Sequence, residues 1–281
     1  MMKHILVTGV STGIGLGIAR EFAHHGYHVW GSVRKAEDAE KLLHEIPKNF
    51  TPLVFDVTDA DAIQKAVEEV EVVIGTQGLA GLVNNAGISV SGPLMHLPLD
   101  EVRQQFEVNV FGLLAVTQAF LPLLGAQKDT PFPPGRIVNI SSVGGKIAAP
   151  FIGPYAASKH AVEGLSQSLR RELLLYGIDV IIIGPGAVKT PIWEKGKTQS
   201  SGRFDHTDYA KSVNNFMKYF LKQEEKGLSK EFLGKRIREI FEKKHPKTRY
   251  AIVPNRFSDW IMPQYILSDR MMDRFLKRLF V

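Results

Sequence analysis

Three side chains between Ser142 and Lys159 could carry acid–base chemistry. Tyr155 and Lys159 are four residues apart, and residues at this spacing share one face of a helix. A free phenol titrates with a pKa of about 10, and a nearby cation favours the phenolate, so we expect Lys159 to lower the pKa of Tyr155. Such a phenol can exchange a proton at working pH, and Ser142 could hydrogen-bond the same substrate oxygen. The alternative is a solvated helix face, so the rest of the chain must decide.

The composition limits the class of protein. The 281 residues, with 44% apolar and 23% charged side chains, are typical of one soluble globular domain. The net charge of +6 permits an anionic ligand, but the positive charge is dispersed and no module that reads nucleic acid is present. There is no cysteine, and the histidines lack metal-ligand spacing. We expect neither a leader peptide nor a membrane-spanning segment. We therefore expect a cytoplasmic protein without a metal.

The elements that must position these residues alternate between strand and helix. Apolar, β-rich runs predict seven strands, at residues 4–9, 27–33, 51–59, 79–87, 136–141, 178–192 and 249–254. Helical patterns lie between most of them. The pattern predicts an α/β, single-domain, Rossmann-type three-layer fold over residues 1–281, with a seven-stranded parallel sheet. Such a sheet binds ligands at the carboxyl ends of its strands.

Two segments depart from this alternation. Residues 191–227 are rich in aromatic side chains, and we expect a helical lid over an apolar ligand, with a packed satellite helix as the alternative. Residues 255–281 form a C-terminal helical extension. Its last helix is basic on one side and apolar on the other, so it could lie on a membrane or pack on its own domain or a partner.

A glycine-rich turn, TGVSTGIG, follows the first strand and leads into a helix. It contains Gly9, Gly13 and Gly15. Glycines allow a backbone to approach a pyrophosphate closely, and a helix N-terminus favours the negative charge. The context therefore indicates a dinucleotide site, whereas the alternative is a tight turn without a ligand.

The residues after the second strand bear on the choice of cofactor. A site that prefers NAD usually carries an acidic residue there, but Val33 is followed by Arg34 and Lys35. Two cations would meet a 2′-phosphate, so we expect NADP(H); if both are merely solvated, NAD(H) is the alternative. After the third strand, Asp56 could bind the adenine amino group or cap the next helix.

A long amphipathic helix is predicted over residues 99–124. Asn109 interrupts its apolar stripe. A polar side chain needs a hydrogen-bond partner if it is buried there, and the alternative is an exposed neighbouring face.

In combination, these motifs resemble the short-chain dehydrogenase/reductase family in its compact single-domain branch. The matching pieces cover roughly residues 3–192 and are TGVSTGIG, NNAG at 84–87, Asn109 in VNVFG, Ser142 in NISSVGG, YAASK at 155–159 and PGAVKT at 185–190. The segment HPKTRYAIVP resembles the steroid- and retinol-oxidising members more loosely.

The resemblance implies a catalytic tetrad of Asn109, Ser142, Tyr155 and Lys159. Ser142 is preferred to Ser141 because it stands thirteen residues before Tyr155, the interval usual in the family. In this mechanism Tyr155 would exchange the proton and Ser142 would orient the substrate oxygen. Lys159 would lower the pKa of Tyr155 and bind the nicotinamide ribose. Asn109 would hold a water. The implied cofactor contacts are Gly9, Ser11, Gly13, Ile14, Gly15, Arg34, Asp56, Val57, Asn85, Ala86, Gly87, Tyr155, Lys159, Pro185, Gly186, Val188 and Thr190.

The implied activity is the NADP(H)-dependent interconversion of a ketone or aldehyde and an alcohol on an apolar, steroid- or retinoid-like small molecule. The alternatives are an NAD-dependent alcohol or hydroxysteroid dehydrogenase and a catalytically silent nucleotide sensor on the same fold. The resemblance also implies a homodimer or homotetramer that pairs the helices at 99–124 and 155–176.

Overall fold

The computed structural model describes residues 2–190 and 202–281, and these contain one seven-stranded parallel sheet. The strand order is β3-β2-β1-β4-β5-β6-β7. The strands are β1 Lys3–Val7, β2 Tyr27–Val33, β3 Phe50–Val54, β4 Gly81–Asn84, β5 Arg136–Ile140, β6 Asp179–Pro185 and β7 Arg249–Ile252. The predicted fold class is confirmed. The strand order reverses between β1 and β4, which is where sheets of this kind open a ligand crevice.

Helices cover both faces of the sheet. They are α1 Gly13–His24, α2 Ala36–Glu45, α3 Ala60–Ile74, α4 Leu99–Phe106, α5 Leu113–Phe120, α6 Gly153–Glu172, α7 Ala210–Glu225, α8 Lys230–Phe241 and α9 Asp269–Phe280. In β1, Ile5 and Val7 pack with α1, α2 and α8, whereas Leu6 packs with α3 and α5. Successive strand residues point to opposite faces, so a strand buried on both faces is mostly apolar.

Side-chain caps begin several of the helices. Asp59 accepts a hydrogen bond from the backbone N–H of Ala62 at 3.0 Å and so caps α3. Asp56, the other candidate for this cap, instead accepts from the backbone N–H and the hydroxyl of Thr58. Its carboxylate therefore stays at the end of the strand, beside the crevice.

The prediction of one continuous helix over residues 99–124 is wrong. The helix α4 gives way to a π-helical stretch, Glu107–Gly112, before α5, and a 3-10 turn, Pro122–Leu124, ends the segment. The wider turn places Asn109 inward, where its amide bonds the backbone of Ile88. Single π-helical turns within α-helices often mark functional sites, and this one lies beside the crevice.

The predicted lid falls partly outside the described residues, at 191–201, and within the rest of it α7 is a packed helix. Phe216 of α7 is 1% exposed, and its ring lies 5.4 Å from that of Phe280 in α9. Both side chains belong to an apolar cluster with Ile152 and Tyr155. The alternative of a packed satellite helix therefore describes α7. That α7 also acts as a lid over the substrate stays a prediction.

The C-terminal helix α9 packs on its own domain at its end. Asn215 and Lys211 of α7 donate hydrogen bonds to the backbone carbonyls of Phe280 and Val281. Phe275 remains half exposed. Within residues 2–190 and 202–281, no helix combines the length and the hydropathy that a membrane crossing requires.

Two histidines in adjacent strands should make the stability of the fold depend on pH. The rings of His4 and His28 lie 5.3 Å apart; His4 contacts the indole N–H of Trp30, and His28 contacts the hydroxyl of Thr51. Burial lowers the pKa of both, and for His4 the charge of His28 acts in the same direction. The unfolded chain therefore binds more protons than the native one as the pH falls below the usual value of 6.5.

We expect the free energy of unfolding to decline between pH 7 and roughly pH 5, and His28→Gln to reduce that decline. Urea unfolding across this range measures it. His24→Gln is the matched control, because His24 is exposed on α1 and should leave the slope unchanged. Equal slopes in His28→Gln and the wild type would contradict the expectation.

Candidate active site

A cavity of about 830 Å³ opens at the carboxyl ends of the strands. Every cofactor residue predicted from the sequence lines it, except Gly15: they are Gly9, Ser11, Gly13, Ile14, Arg34, Asp56, Val57, Asn85, Ala86, Gly87, Tyr155, Lys159, Pro185, Gly186, Val188 and Thr190. Ser142 lines it as well. One cavity therefore unites motifs that are spread over most of the chain.

Gly15 lies beneath the cavity, where a side chain has no room. A Cβ at this position would lie 2.2 Å from the carbonyl oxygen of Gly9 and 2.4 Å from Nδ2 of Asn85. Gly9 itself has a φ of +70°, and a Cβ there would lie 2.8 Å from Cα of Ala86. The two glycines allow α1 and the turns after β1 and β4 to meet closely, as a pyrophosphate cradle requires.

A hydrogen-bond network that the sequence did not indicate fixes this cradle. The hydroxyl of Thr8 accepts from the backbone N–H groups of Asn85 and Ala86 at 2.9 and 3.0 Å. The amide of Asn85 donates to the carbonyls of Thr8 and Gly9, and the hydroxyl of Ser32 accepts from the N–H of Gly9. Thr8 and Ser32 are small polar residues at or beside strand ends, which is the only signal that could have identified them.

The N-terminus of α1 is suited to an anion. Thr12 precedes the helix in extended conformation and makes no side-chain cap, and the first turn holds no acidic residue. The leading N–H groups of a helix lack intrahelical partners, and the helix dipole favours negative charge beside them. Gly13, the first helical residue, lines the cavity. This end of the cavity therefore fits a dinucleotide phosphate.

Charged residues line the cavity at the end of β2. Arg34 and Lys35 are exposed there, and Asp38 of α2 joins them. Glu37 and Asp38 lie in the first turn of α2, where their charge suits the helix dipole. The sequence analysis did not identify Asp38 as a site residue, so its place on the cavity wall is an addition.

Ser142, Tyr155 and Lys159 meet at the other end of the cavity. The side chains of Ser142 and Tyr155 are hydrogen-bonded, and Ser142 Oγ also accepts from the N–H of Gly144 at 3.0 Å. The Nζ atom of Lys159 lies 5.8 Å from the centre of the Tyr155 ring and donates to the carbonyl of Ile140 at 2.8 Å. The three predicted side chains therefore form one cluster on the cavity wall.

Asn109 supports this cluster from behind, and its side chain does not line the cavity. It is 1% exposed, accepts a hydrogen bond from the N–H of Ile88 and donates to the carbonyl of Ile88 and to the hydroxyl of Ser158. The Ser158 hydroxyl donates in turn to the carbonyl of Tyr155. Of the two alternatives for Asn109, the structure shows the buried side chain with hydrogen-bond partners. That Asn109 binds a water stays a prediction.

The electrostatics of the pair correct one expectation. Burial raises the pKa of Tyr155, and the hydrogen bond with Ser142 acts in the opposite direction. Burial also lowers the pKa of Lys159 to about 8, whereas the charge of Glu163 acts to raise it. Burial therefore outweighs the hydrogen bond, and the pKa of Tyr155 is raised rather than lowered; the separate contribution of Lys159 to this pKa stays a prediction.

Polar residues that the sequence did not indicate also line the cavity. Glu101 of α4 and Arg203 form a two-pronged ion pair with contacts of 2.9 and 2.5 Å. Gln104 lies beside them. No pattern in the sequence connects two positions that are a hundred residues apart.

Comparisons with known proteins identify relatives of this chain. The short chain dehydrogenase family model matches residues 3–201. The NADPH-dependent 3-dehydrocapnine reductase of Ornithobacterium rhinotracheale is 44% identical over 97% of this chain and 95% of its own length. The uncharacterized oxidoreductase YbbO of Escherichia coli K12 is 33% identical over 99% of this chain and 95% of its own length.

Solved structures share the fold. A short-chain dehydrogenase from Streptomyces avermitilis has a TM-score of 0.73 and 29% identity over 90% of this chain and 88% of its own. A variant of actinorhodin polyketide ketoreductase, solved with NADPH, has a TM-score of 0.73 and 28% identity over 89% of this chain and 95% of its own. The chain belongs to the short-chain dehydrogenase/reductase family, and it is an NADP(H)-dependent oxidoreductase.

The close packing at Gly15 generates a test. We expect Gly15→Ala to weaken NADPH binding by about tenfold or more, since the new methyl group must displace the Gly9 backbone or the Asn85 amide. A titration of nicotinamide fluorescence measures the affinity, and thermal unfolding reports the accompanying strain.

Gly164→Ala is the matched control. Gly164 lies on the exposed side of α6, and a Cβ added there would have nothing within 4 Å, so alanine should leave NADPH binding unchanged and the helix slightly more stable. Unchanged NADPH affinity in Gly15→Ala would contradict the cradle.

Proposed function

We propose that the protein reduces a ketone on an apolar small molecule with NADPH. The observation that carries the proposal is the meeting of the Ser142 hydroxyl, the Tyr155 phenol and the Lys159 amine on the wall of the cavity that holds the glycine cradle. A catalytically silent sensor would have no use for such a cluster. An oxidation with NAD is the alternative that the assays below can detect.

The cofactor would lie along the cavity from the end of β2 to Tyr155. In this proposal Arg34 and Lys35 face the 2′-phosphate, Asp56 faces the adenine, and the N-terminus of α1 holds the pyrophosphate. Lys159 binds the nicotinamide ribose. When bound, NADPH supplies the hydride that reaches the carbonyl carbon.

The chain's own residues manage the proton. Because burial raises the pKa of Tyr155, its phenol holds the proton that reduction must deliver to the substrate oxygen. Ser142 hydrogen-bonds the same oxygen and stabilises the charge that develops there. Lys159, with a pKa of about 8, is charged at neutral pH and favours the phenolate that remains. Asn109 and Ser158 hold the backbone that carries Tyr155.

An apolar substrate is supported by what surrounds Tyr155. Ile152, Phe216 and Phe280 pack against it, and Val90 and Val108 line the cavity nearby. The 3-dehydrocapnine reductase matches this chain from end to end, which supports 3-dehydrocapnine as the first ketone to test. A steroid- or retinoid-like ketone is a further member of the same test panel.

Tyr155→Phe tests the proton donor. We expect kcat for ketone reduction to fall by about 10²-fold or more, while NADPH affinity stays within about twofold, since only the hydroxyl is lost. The reaction is measured as the loss of NADPH absorbance with each of four test compounds: 3-dehydrocapnine, a steroid ketone, retinal and a small polar ketone. Tyr265→Phe is the control, because Tyr265 is 69% exposed and far along the chain from the cluster. A wild-type enzyme that binds NADPH but reduces none of these compounds would support the sensor instead.

Arg34→Ala tests the assignment of the 2′-phosphate. We expect the preference for NADPH over NADH to fall by about tenfold, because a charge-assisted contact to phosphate contributes about 1.5–3 kcal/mol. Parallel fluorescence titrations with the two cofactors give the ratio. Arg274→Ala, an exposed arginine of α9, should leave the ratio unchanged. Equal ratios in Arg34→Ala and the wild type would remove Arg34 from the site.

The wider assignments complete the proposal. We propose a single domain over residues 1–281, in which the segment at 191–227 covers the substrate and residues 255–281 extend the fold. The homodimer or homotetramer and the cytoplasmic location stay predictions.

A further inference from the structure

Glu163 is a buried carboxylate that the reaction described above does not use. It follows Lys159 by one helical turn, so Tyr155, Lys159 and Glu163 recur at intervals of four on one face of α6. Glu163 is 1% exposed. Carboxylates are almost never buried to this extent unless they are paired, because an isolated buried charge is costly.

Two cations from other elements pair with Glu163. Nε of Arg249, in β7, lies 2.9 and 3.0 Å from the two carboxylate oxygens. Nζ of Lys146, in the turn after β5, lies 3.5 Å from one of them. A Cβ at Gly145 would lie 3.1 Å from Cγ of Glu163, so the turn approaches the carboxylate closely.

Arg249 also reaches the Ser142 backbone. Its Nη2 donates to the carbonyl of Ser142 at 3.4 Å, and its guanidinium lies 4.4 Å from the ring centre of Trp260. Gly184 in the neighbouring strand makes room for it, because a Cβ there would lie 2.6 Å from Nη2. The guanidinium therefore joins Glu163 to the segment that carries Ser142.

Glu163 also acts on the amine of Lys159. Burial lowers the pKa of Lys159 to about 8, and the negative charge of Glu163 opposes that change. The charged groups that face Glu163 among the described residues are Arg249, Lys146 and Lys159, with the phenol of Tyr155 beyond Lys159.

We propose that Glu163 and Arg249 form a positioning pair for the reduction: Glu163 keeps the Lys159 amine charged, and Arg249 fixes the backbone of Ser142. The inference rests on the proposed function, since it needs Ser142 and Lys159 to take part in the reaction. Neither Glu163 nor Arg249 lines the cavity, so both act through these neighbours.

Glu163→Gln tests the electrostatic half of the pair. Glutamine keeps the shape and still accepts from Arg249, so the fold is retained while the charge is lost. Without the charge Lys159 loses its proton at lower pH, and we expect the alkaline fall of kcat to move to lower pH by about one unit. KM and NADPH affinity should stay within about twofold. Glu163→Asp should restore the position of the alkaline limb, and Glu172→Gln, an exposed glutamate of the same helix, should not move it.

Arg249→Lys tests the other half. Lysine retains a cation for Glu163 but cannot reach the Ser142 carbonyl at the same time, because it lacks the planar fork of arginine. We expect kcat to fall about three- to tenfold with no shift in the alkaline limb. Thermal unfolding of each variant checks that the fold is intact. An unchanged kcat in a folded Arg249→Lys variant would overturn this half.

A measurement without turnover separates this inference from the proposed function. Acetic anhydride modifies only the neutral amine, so mass spectrometry of Lys159 acetylation against pH follows its titration in the folded protein. Glu163→Gln should be acetylated at lower pH than the wild type. Identical acetylation and identical pH–rate profiles would overturn the pair. If the wild type reduces no ketone but the acetylation shifts, the influence of Glu163 on Lys159 stands and the proposed reaction fails.

Discussion

The burial of the Lys159 amine is the constraint on which the site depends. The side chain is 6% exposed, and a buried ammonium is stable only where its surroundings replace the water it has lost. The carbonyl of Ile140 supplies a hydrogen bond from the end of β5, and the carboxylate of Glu163 supplies charge from the next helical turn. The packing of α6 against the sheet therefore depends on whether the Lys159 amine is charged.

The same constraint explains the outer elements of the fold. Glu163 can be buried because Arg249 of β7 and Lys146 of the turn after β5 pair with it, and Arg249 in turn lies against Trp260 in the C-terminal extension. The edge strand β7 and the C-terminal extension thus stabilise a buried charge near the centre of the sheet. Their contribution is electrostatic, since the ion pair removes the cost of an unpaired buried charge without touching the cavity.

The sequence predicted what depends on local pattern and failed where distant segments meet. Apolar runs identified the seven strands of the described residues, and the central ones are mostly apolar because both of their faces are buried. The glycine turn and the spacing of Tyr155 and Lys159 are local as well. The pairing of Glu101 with Arg203, however, joins α4 to a segment about a hundred residues later, and no periodicity encodes it. The π-helical stretch around Asn109 likewise involves another segment, since the Asn109 amide bonds the backbone of Ile88.

The raised pKa of Tyr155 shows why spacing alone does not determine a pKa. The spacing predicts that a lysine one turn away draws the phenol toward ionisation, but burial acts on both groups and opposes charge on each. The two effects favour a protonated phenol beside an amine whose charge is only moderately stable. A protonated phenol is a proton donor, and a donor is what the reduction of a ketone needs. Oxidation of an alcohol would begin from the phenolate, which burial disfavours, so these surroundings suit Tyr155 to the donor role that the proposed reduction requires.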